Sequence, residues 1–138
     1  MPEVLIVSDA AHVREEVASA LPDGSTVREL TSGEEVRNAV GDQAPDLVVL
    51  DLQIGRMGGM ATCLDLRLEA GAGRLPNVAV LMLVDRRADV HLARRSFADG
   101  WIVKPLDALR LRRAVTAVLA GGMYHDETFR PVTVAAPT

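Results

Sequence analysis

Short apolar runs recur along the chain, and their length is the feature that most restricts the folds open to it. Each run is too short for a helix, and none alternates strictly between apolar and polar residues. Such runs are typical of strands that are buried on both faces of a sheet. They are VLIV (4–7), LVVL (47–50), VAVLML (78–83) and WIV (101–103), with a more polar STVREL at 25–30. The sequence therefore predicts five short strands.

Segments with helical spacing separate these runs. Apolar residues three or four apart predict helices over 11–21, 33–40, 59–70, 87–98 and 107–120. Ser32 and Glu35 fit a capping box before the second helix, and Asp107 fits an N-cap before the fifth. Strands that alternate with helices imply right-handed crossovers. We therefore expect an α/β fold: a doubly wound five-stranded parallel sheet in the order 2-1-3-4-5 with five helices, flavodoxin-like in architecture.

The chain length suits one domain, because 138 residues can bury one core but are few for two. We expect this domain to span residues 1–121. Residues 122–138 then form a tail, either docked in part through Tyr124 and Phe129 or largely disordered. No output domain is expected.

Composition excludes several classes of function. The 19 acidic and 15 basic residues are spread along the chain, so nothing calls for nucleic acid or an anionic membrane as partner. A single cysteine allows no internal disulfide. No apolar run approaches the roughly 18 residues of a membrane span, and we expect a cytoplasmic protein.

Three charged residues, Asp9, Asp51 and Lys104, fall where predicted strands end. Carboxyl ends of parallel strands share one edge of the sheet, where ligands bind, so these side chains should meet in one crevice. Two converging carboxylates favour a hard cation such as Mg²⁺. Asp51 would then be a nucleophile that forms an acyl phosphate. The alternatives are an exposed acid or an N-cap for Asp51, and an N-cap of the first helix for Asp9.

Lys104 is the only lysine, since the other fourteen basic residues are arginine. A compact ammonium suits a point contact with a phosphoryl group, whereas an arginine fork does not. Chance retention of one lysine is the alternative. The Lys104–Pro105 bond is a candidate for the cis form, which would direct the ammonium towards the crevice.

Three segments of the chain resemble a known family in order and spacing. VLIVSDA, DLVVLDLQIGRMGG and DGWIVKPLD match the signature regions of the receiver domain of bacterial two-component response regulators, and the resemblance covers about residues 3–120. It implies that Asp51 is the phosphoacceptor and that Lys104 contacts the phosphoryl group. It also implies that Asp9 and the main-chain carbonyl of Gln53 are Mg²⁺ ligands. The family's partner is a sensor histidine kinase, and its chemistry is limited to self-phosphorylation and autodephosphorylation, so we do not expect an enzyme.

The sequence departs from the family at four positions, one of which is Gly55 in place of a usual proline, which leaves the loop after Asp51 looser. Ser8 replaces a usual acid and can hold Mg²⁺ only through a water molecule, which should lower the affinity. Val84 stands where a Ser or Thr hydroxyl usually contacts the phosphoryl group, and it donates nothing. The next residue, Asp85, would add negative charge if it points inward. Trp101 replaces the usual switch Tyr or Phe. Because its ring is larger, we expect it to point outward as part of a binding surface.

Basic residues cluster around the fourth predicted helix: Arg86, Arg87, Arg94 and Arg95. They form either a solvated surface or, with Trp101, a site for an acidic effector protein. In the resembling family this face, with the fifth strand and helix, mediates dimers or effector contacts, so a homodimer is also expected there. We expect no direct contact with nucleic acid.

Two functions therefore remain after the sequence is read. The first is a receiver that accepts a phosphoryl group on Asp51 and signals by protein contact. The second is a phosphorylation-independent pseudo-receiver that acts as an interaction module, which the residues at positions 8 and 84 favour.

Overall fold

The computed structural model describes residues 1–126 of the chain. Five α-helices and six strands alternate within this part, and two of the helices, α2 and α4, follow one-turn 3-10 segments at Gly33–Glu35 and Arg87–Asp89. In chain order the elements are β1 (Glu3–Val7), α1 (Ala11–Ser19), β2 (Thr26–Leu30), α2 (Val36–Asp42), β3 (Leu47–Asp51), α3 (Gly59–Gly71), β4 (Ala79–Val84), α4 (Val90–Arg95), β5 (Gly100–Val103), α5 (Ala108–Leu119) and β6 (Tyr124–His125).

The strands form one parallel sheet in the order β2-β1-β3-β4-β5-β6. The predicted α/β fold, its parallel sheet and its five helices are confirmed. The sheet nevertheless has six strands in the described residues, where the sequence predicted five. The sixth was missed because it holds only two residues and follows two glycines, so it has no hydrophobic pattern to detect.

Both faces of the sheet are covered, which explains the unbroken apolar runs. Along β3, the side chains of Val48 and Leu50 join a core under α2, α3 and α4. Those of Leu47 and Val49 join a second core under α1 and α5. Each fully buried aliphatic side chain of this size stabilises the fold by about 1.5–3 kcal/mol. Alternate residues of β3 thus face opposite cores, which explains why the strand is apolar at every position before Asp51.

Local signals at the helix ends were predicted with mixed success. The N-cap at Asp107 is confirmed, because its carboxylate accepts a hydrogen bond from the backbone N–H of Leu109 at 2.9 Å. The capping box is wrong: the Ser32 side chain makes no capping hydrogen bond. The backbone N–H of Glu34 instead donates to the carbonyl of Arg56 at 3.1 Å, so a neighbouring loop satisfies this helix start.

The end of α4 also differs from the prediction. The helix ends at Arg95, and Phe97 has a positive φ of 62° and is 69% exposed. A residue in this left-handed conformation ends a helix, as at a C-terminal cap. Ser96 beside it is buried and donates to the carbonyl of Ala93 at 2.9 Å.

Residues beyond α5 return to the sheet and pair with β5. The N–H of Tyr124 donates to Asp99 and that of Asp126 donates to Trp101, at 3.3 and 3.2 Å. Gly100 permits this approach, because a Cβ there would lie 2.9 Å from the carbonyl oxygen of Tyr124. Tyr124 packs against the second core, as predicted for a docked tail. The other predicted anchor, Phe129, lies outside the described residues.

None of the helices in the described part of the chain combines the length and apolar character that a membrane crossing requires.

Candidate functional site

Side chains from four strand ends meet at the carboxyl edge of the sheet. Ser8 follows β1, Asp51 ends β3, Asp85 follows β4 and Lys104 follows β5. Their hydrogen bonds, described below, connect all four. The sequence predicted that Asp9, Asp51 and Lys104 would converge. The structure joins Asp51 to Lys104, whereas within residues 1–126 no hydrogen bond or ion pair joins Asp9 to either of them.

Asp51 is the centre of the cluster and is only 1% exposed. Its Oδ1 accepts a hydrogen bond from Lys104 Nζ at 2.9 Å and another from the backbone N–H of Gln53 at 3.3 Å. Its Oδ2 accepts one from the Ser8 hydroxyl at 2.8 Å. The alternatives weighed for Asp51 do not hold, since the residue is buried and the N-cap of α3 is Gly58.

The backbone positions Asp51 by a close approach between β3 and α3. A Cβ at Gly59 would lie 2.5 Å from the carbonyl oxygen of Asp51 and 2.7 Å from the Cα of Leu52. Contacts this short do not occur for real side chains, so only glycine fits at the start of α3. The helix thereby lies directly against the strand end that carries the carboxylate.

Ser8 is fully buried and its hydroxyl is already engaged. It donates to Asp51, as given above, and it accepts from the backbone N–H of Ala10 at 3.2 Å. Its carbonyl accepts from Arg14 Nη1 at 2.7 Å. Ser8 therefore orients the Asp51 carboxylate through a direct hydrogen bond. The sequence predicted for Ser8 only a contact with a metal-bound water.

Asp9 is exposed and lies immediately before the start of the first helix. The N-cap of α1 is Ala10, so Asp9 does not hold the capping position that was its alternative role. Among residues 1–126 no hydrogen bond or ion pair engages its carboxylate. This acid is therefore available to a ligand from solvent.

Lys104 joins two carboxylates. Its Nζ donates to Asp51 Oδ1 and to Asp85 Oδ1, each at 2.9 Å. The Lys104–Pro105 bond is cis, as predicted, and the Lys104 N–H donates to Val84 at 2.8 Å. Burial lowers the pKa of the ammonium, but the hydrogen bonds and charges of the two carboxylates outweigh it, and the pKa is raised above its ordinary value.

Asp85 contributes more to the site than the added negative charge that the sequence suggested. Its Oδ1 contacts Lys104, whereas its Oδ2 is buried and has no hydrogen-bond partner within residues 1–126. An acid at the end of an apolar strand is the same signal that identified Asp9 and Asp51. The family resemblance, however, places the functional residue of β4 one position earlier, at Val84.

The two predicted switch positions are buried. Val84 is fully enclosed in the core and presents no hydroxyl. Trp101 is 3% exposed, so the expectation of an outward indole is wrong. The ring of His125 stacks on it with centroids 4.0 Å apart and planes 5° apart, and the Arg94 guanidinium lies 5.4 Å from its centroid. The sixth strand thus covers a ring that would otherwise border solvent.

The predicted basic residues around α4 are all exposed: Arg86, Arg87, Arg94 and Arg95. Arg86 forms an ion pair with Asp89 at 3.1 Å. Beside them is a cleft of about 290 Å³ lined in part by Arg94, Phe97 and Met123. The last two are apolar and well exposed. The structure therefore presents a basic surface with an apolar part, although Trp101 belongs to its floor.

The oxygen atoms at the crevice are of the kind that bind magnesium. Carboxylates, a hydroxyl and main-chain carbonyls are hard oxygen ligands, and Mg²⁺ commonly binds one or two carboxylates and keeps several waters. Asp9 is open to solvent, and within residues 1–126 the one partner of Asp51 Oδ2 is the neutral Ser8 hydroxyl. Within residues 1–126 no three His, Cys, Asp or Glu side chains are grouped so as to enclose a metal. A bound Mg²⁺ would therefore remain largely hydrated.

The fold and the site define a doubly wound α/β domain with its polar site at the carboxyl edge of a parallel sheet. The model of the response regulator receiver domain matches residues 4–116, and the chain belongs to that family.

Individual proteins agree with this assignment. The nitrate/nitrite response regulator protein NarL of Escherichia coli K12 is 29% identical over 136 residues, which cover 96% of this chain and 62% of NarL. The DNA-binding response regulator MtrA of Mycolicibacterium paratuberculosis is 33% identical, over 84% of this chain and 50% of MtrA. The receiver domain of NtrX from Brucella abortus superposes with a TM-score of 0.73 at 28% identity, over 85% of this chain and 98% of that domain. The chain thus spans about half to three fifths of the curated relatives' length.

Proposed function

We propose that this receiver accepts a phosphoryl group on Asp51 from the histidine of a sensor kinase and signals by binding another protein. One observation carries the proposal: a carboxylate that is 1% exposed ends the central strand, with the only lysine of the chain 2.9 Å away. Burying a charged pair costs free energy, so such a pair marks a candidate functional site. We propose no other enzymatic activity.

The hydrogen bonds of Asp51 distinguish its two oxygens. Oδ1 accepts hydrogen bonds from the Lys104 ammonium and the Gln53 N–H, whereas Oδ2 accepts only a neutral hydroxyl from the part of the chain that the structure describes. Oδ2 is therefore the better nucleophile. In the transfer, the P–N bond of phosphohistidine breaks, its electron pair stays with the imidazole, which takes up a proton, and a P–O bond to Asp51 forms. Lys104 then stabilises the negative charge of the acyl phosphate.

Magnesium fits the same site. Asp9, Asp51 and the main-chain carbonyl of Gln53 would hold it directly, and Ser8 would hold it through water. Its chemistry there is neutralisation of phosphoryl charge.

A pseudo-receiver is the second candidate, and specific observations favour it. Lys104 is shared with Asp85, position 84 offers no hydroxyl, and Trp101 is packed beneath His125. A protein of this kind would keep the fold and bind its partner without phosphorylation.

Exposure to acetyl phosphate and Mg²⁺ separates the two candidates. The receiver is expected to gain the mass of one phosphoryl group and to change the fluorescence of Trp101, its single tryptophan. Asp51→Asn should gain neither. Beryllofluoride, a non-covalent analogue, should produce the same fluorescence change. An unmodified wild-type protein with constant fluorescence would support the pseudo-receiver.

The partner surface is proposed to be the basic residues around α4, which suit an acidic effector protein. Arg95→Glu should weaken capture of such an effector. Arg112→Glu, on the side of α5 that lies beside Leu21 and away from α4, serves as a control of equal charge change. A homodimer on this face would not pair through Gly100 and Trp101 of β5, because β6 already pairs with them. Sedimentation with and without beryllofluoride tests for it, and a monomer in both conditions would exclude the dimer.

A further inference from the structure

Asp85 contacts the same ammonium of Lys104 that a phosphoryl group on Asp51 would need. We infer that Asp85 is a built-in competitor for Lys104 and limits how readily Asp51 is phosphorylated. This inference rests on the proposed function, and it adds a residue that sets the rate and lifetime of the modification.

The geometry shows that Asp51 and Asp85 share one ammonium. Both Nζ contacts are 2.9 Å, so neither carboxylate is favoured by distance. The side chain of Lys104 is 21% exposed, that of Asp85 32% and that of Asp51 2%. Water screens such a partly buried group less than a surface ion pair, so the charges interact strongly.

The charge of the cluster is unbalanced. Asp51 and Asp85 contribute two negative charges and Lys104 one positive charge, which leaves one excess negative charge. The buried Oδ2 of Asp85 has no partner in the described part of the chain. An unsatisfied buried acceptor costs free energy, so the resting state holds an acid that is only half neutralised.

A phosphoryl group on Asp51 would compete for the same donor. An ammonium has three N–H groups, and two of them are already committed to carboxylates. The incoming group carries up to two negative charges near neutral pH. It must therefore either draw Lys104 away from Asp85 or remain beside an acid of like charge. Val84 provides no hydroxyl to offset either cost.

The reverse step should be affected too. If Lys104 stays with Asp85, the acyl phosphate has less cationic stabilisation and is lost to water more quickly. Asp85 therefore acts through Lys104 as a positioning residue, without forming a bond to phosphorus.

Asp85→Asn tests the inference, because asparagine has the shape of aspartate without its charge. The rate of labelling by acetyl phosphate with Mg²⁺ should rise by about tenfold to a hundredfold, which lies within the roughly tenfold to thousandfold by which local charge alters the association of a charged substrate. Asp42→Asn removes an exposed acid at the end of α2 and should label at the wild-type rate. Equal labelling of Asp85→Asn and the wild type would overturn the inference while leaving the proposed function intact.

The single lysine offers a readout that needs no phosphorylation. Protein made with ¹³C-labelled lysine gives one Cε resonance, and its chemical shift reports the surroundings of the Lys104 ammonium. This shift should change in Asp85→Asn, because one of the two carboxylates that contact the ammonium loses its charge, and it should stay at the wild-type value in Asp42→Asn. An Asp85→Asn resonance at the wild-type position would show that the contact does not form in solution and would overturn the inference. Absence of phosphoryl labelling in every variant, even with a changed resonance, would overturn the proposed function and this inference with it.

Discussion

Asp126 anchors the last described strand, and its replacement should both destabilise the protein and uncover Trp101. Its side chain is completely buried. One carboxylate oxygen accepts from the backbone N–H of Val103 at 2.9 Å and from Arg110 Nη1 at 2.6 Å. Alanine at this position would leave the Val103 N–H without its acceptor and break a buried ion pair.

The size of the effect follows from these two contacts. A buried donor that loses its partner costs about 1–3 kcal/mol. Loss of one member of a buried ion pair costs about 3–5 kcal/mol when the remaining charge is uncompensated. Arg110 keeps Asp107 at 3.7 Å and the carbonyl of Pro105 at 3.0 Å, so the second cost is only partly incurred. We expect Asp126→Ala to lower the free energy of unfolding by about 2–4 kcal/mol.

Urea unfolding followed by far-ultraviolet circular dichroism measures this loss, and Trp101 fluorescence measures the release of β6. Asp126→Asn retains an acceptor for Val103 and should lose less stability. Asp42→Ala removes an exposed acid and should stay within about 0.5 kcal/mol of the wild type. If Asp126→Ala unfolded with the same free energy as Asp42→Ala and kept the wild-type emission maximum of Trp101, then Asp126 would not anchor β6.

Three further outcomes are expected. Lys104→Arg should keep the fold but slow labelling of Asp51 by about a hundredfold, the loss typical when one donor to a developing anion is removed; labelling at the normal rate would remove the role assigned to the ammonium. Gly59→Ala should destabilise the protein by more than the roughly 1–3 kcal/mol of ordinary overpacking, since the new Cβ meets backbone atoms of β3. Thermal denaturation measures the loss, and Gly41→Ala is the control, because a Cβ at Gly41 makes only an ordinary contact of 3.5 Å with Leu75. The pKa of Lys104 is raised in the folded state, so the stabilisation by its ion pairs is complete below the unfolded pKa of about 10.4 and is lost as pH rises through the folded pKa. The free energy of unfolding should therefore fall more steeply above about pH 10.4 in the wild type than in Lys104→Met, and parallel curves would contradict the pairing.

The fold was predictable because hydrophobic pattern determines it locally. Runs such as 47–50 are apolar on both faces, and only a sheet covered on two sides accommodates them. The order of strands and helices then leaves few topologies. The sixth strand was not predictable in this way, because its stability comes from Asp126 and from ring stacking on Trp101, contacts between residues far apart in the sequence.

The sequence predicted which strand ends form the site, but not the hydrogen bonds within it. Residues at strand ends identified Asp51 and Lys104, since the ends of parallel strands converge whatever the details of packing. The side-chain partners were not: the hydroxyl of Ser8 bonds Asp51 directly, and the Asp85 carboxylate contacts the lysine. Both depend on rotamers and distances that the sequence does not specify.

The docked segment at residues 124–126 also bears on how the protein should be produced. A shortened chain that stopped after Gly121, where the helical pattern ends, would leave the backbone groups of β5 unpaired along one side. Open edges of this kind recruit strands from other molecules and lead to precipitation. Expression boundaries and purification tags should therefore be placed after Asp126.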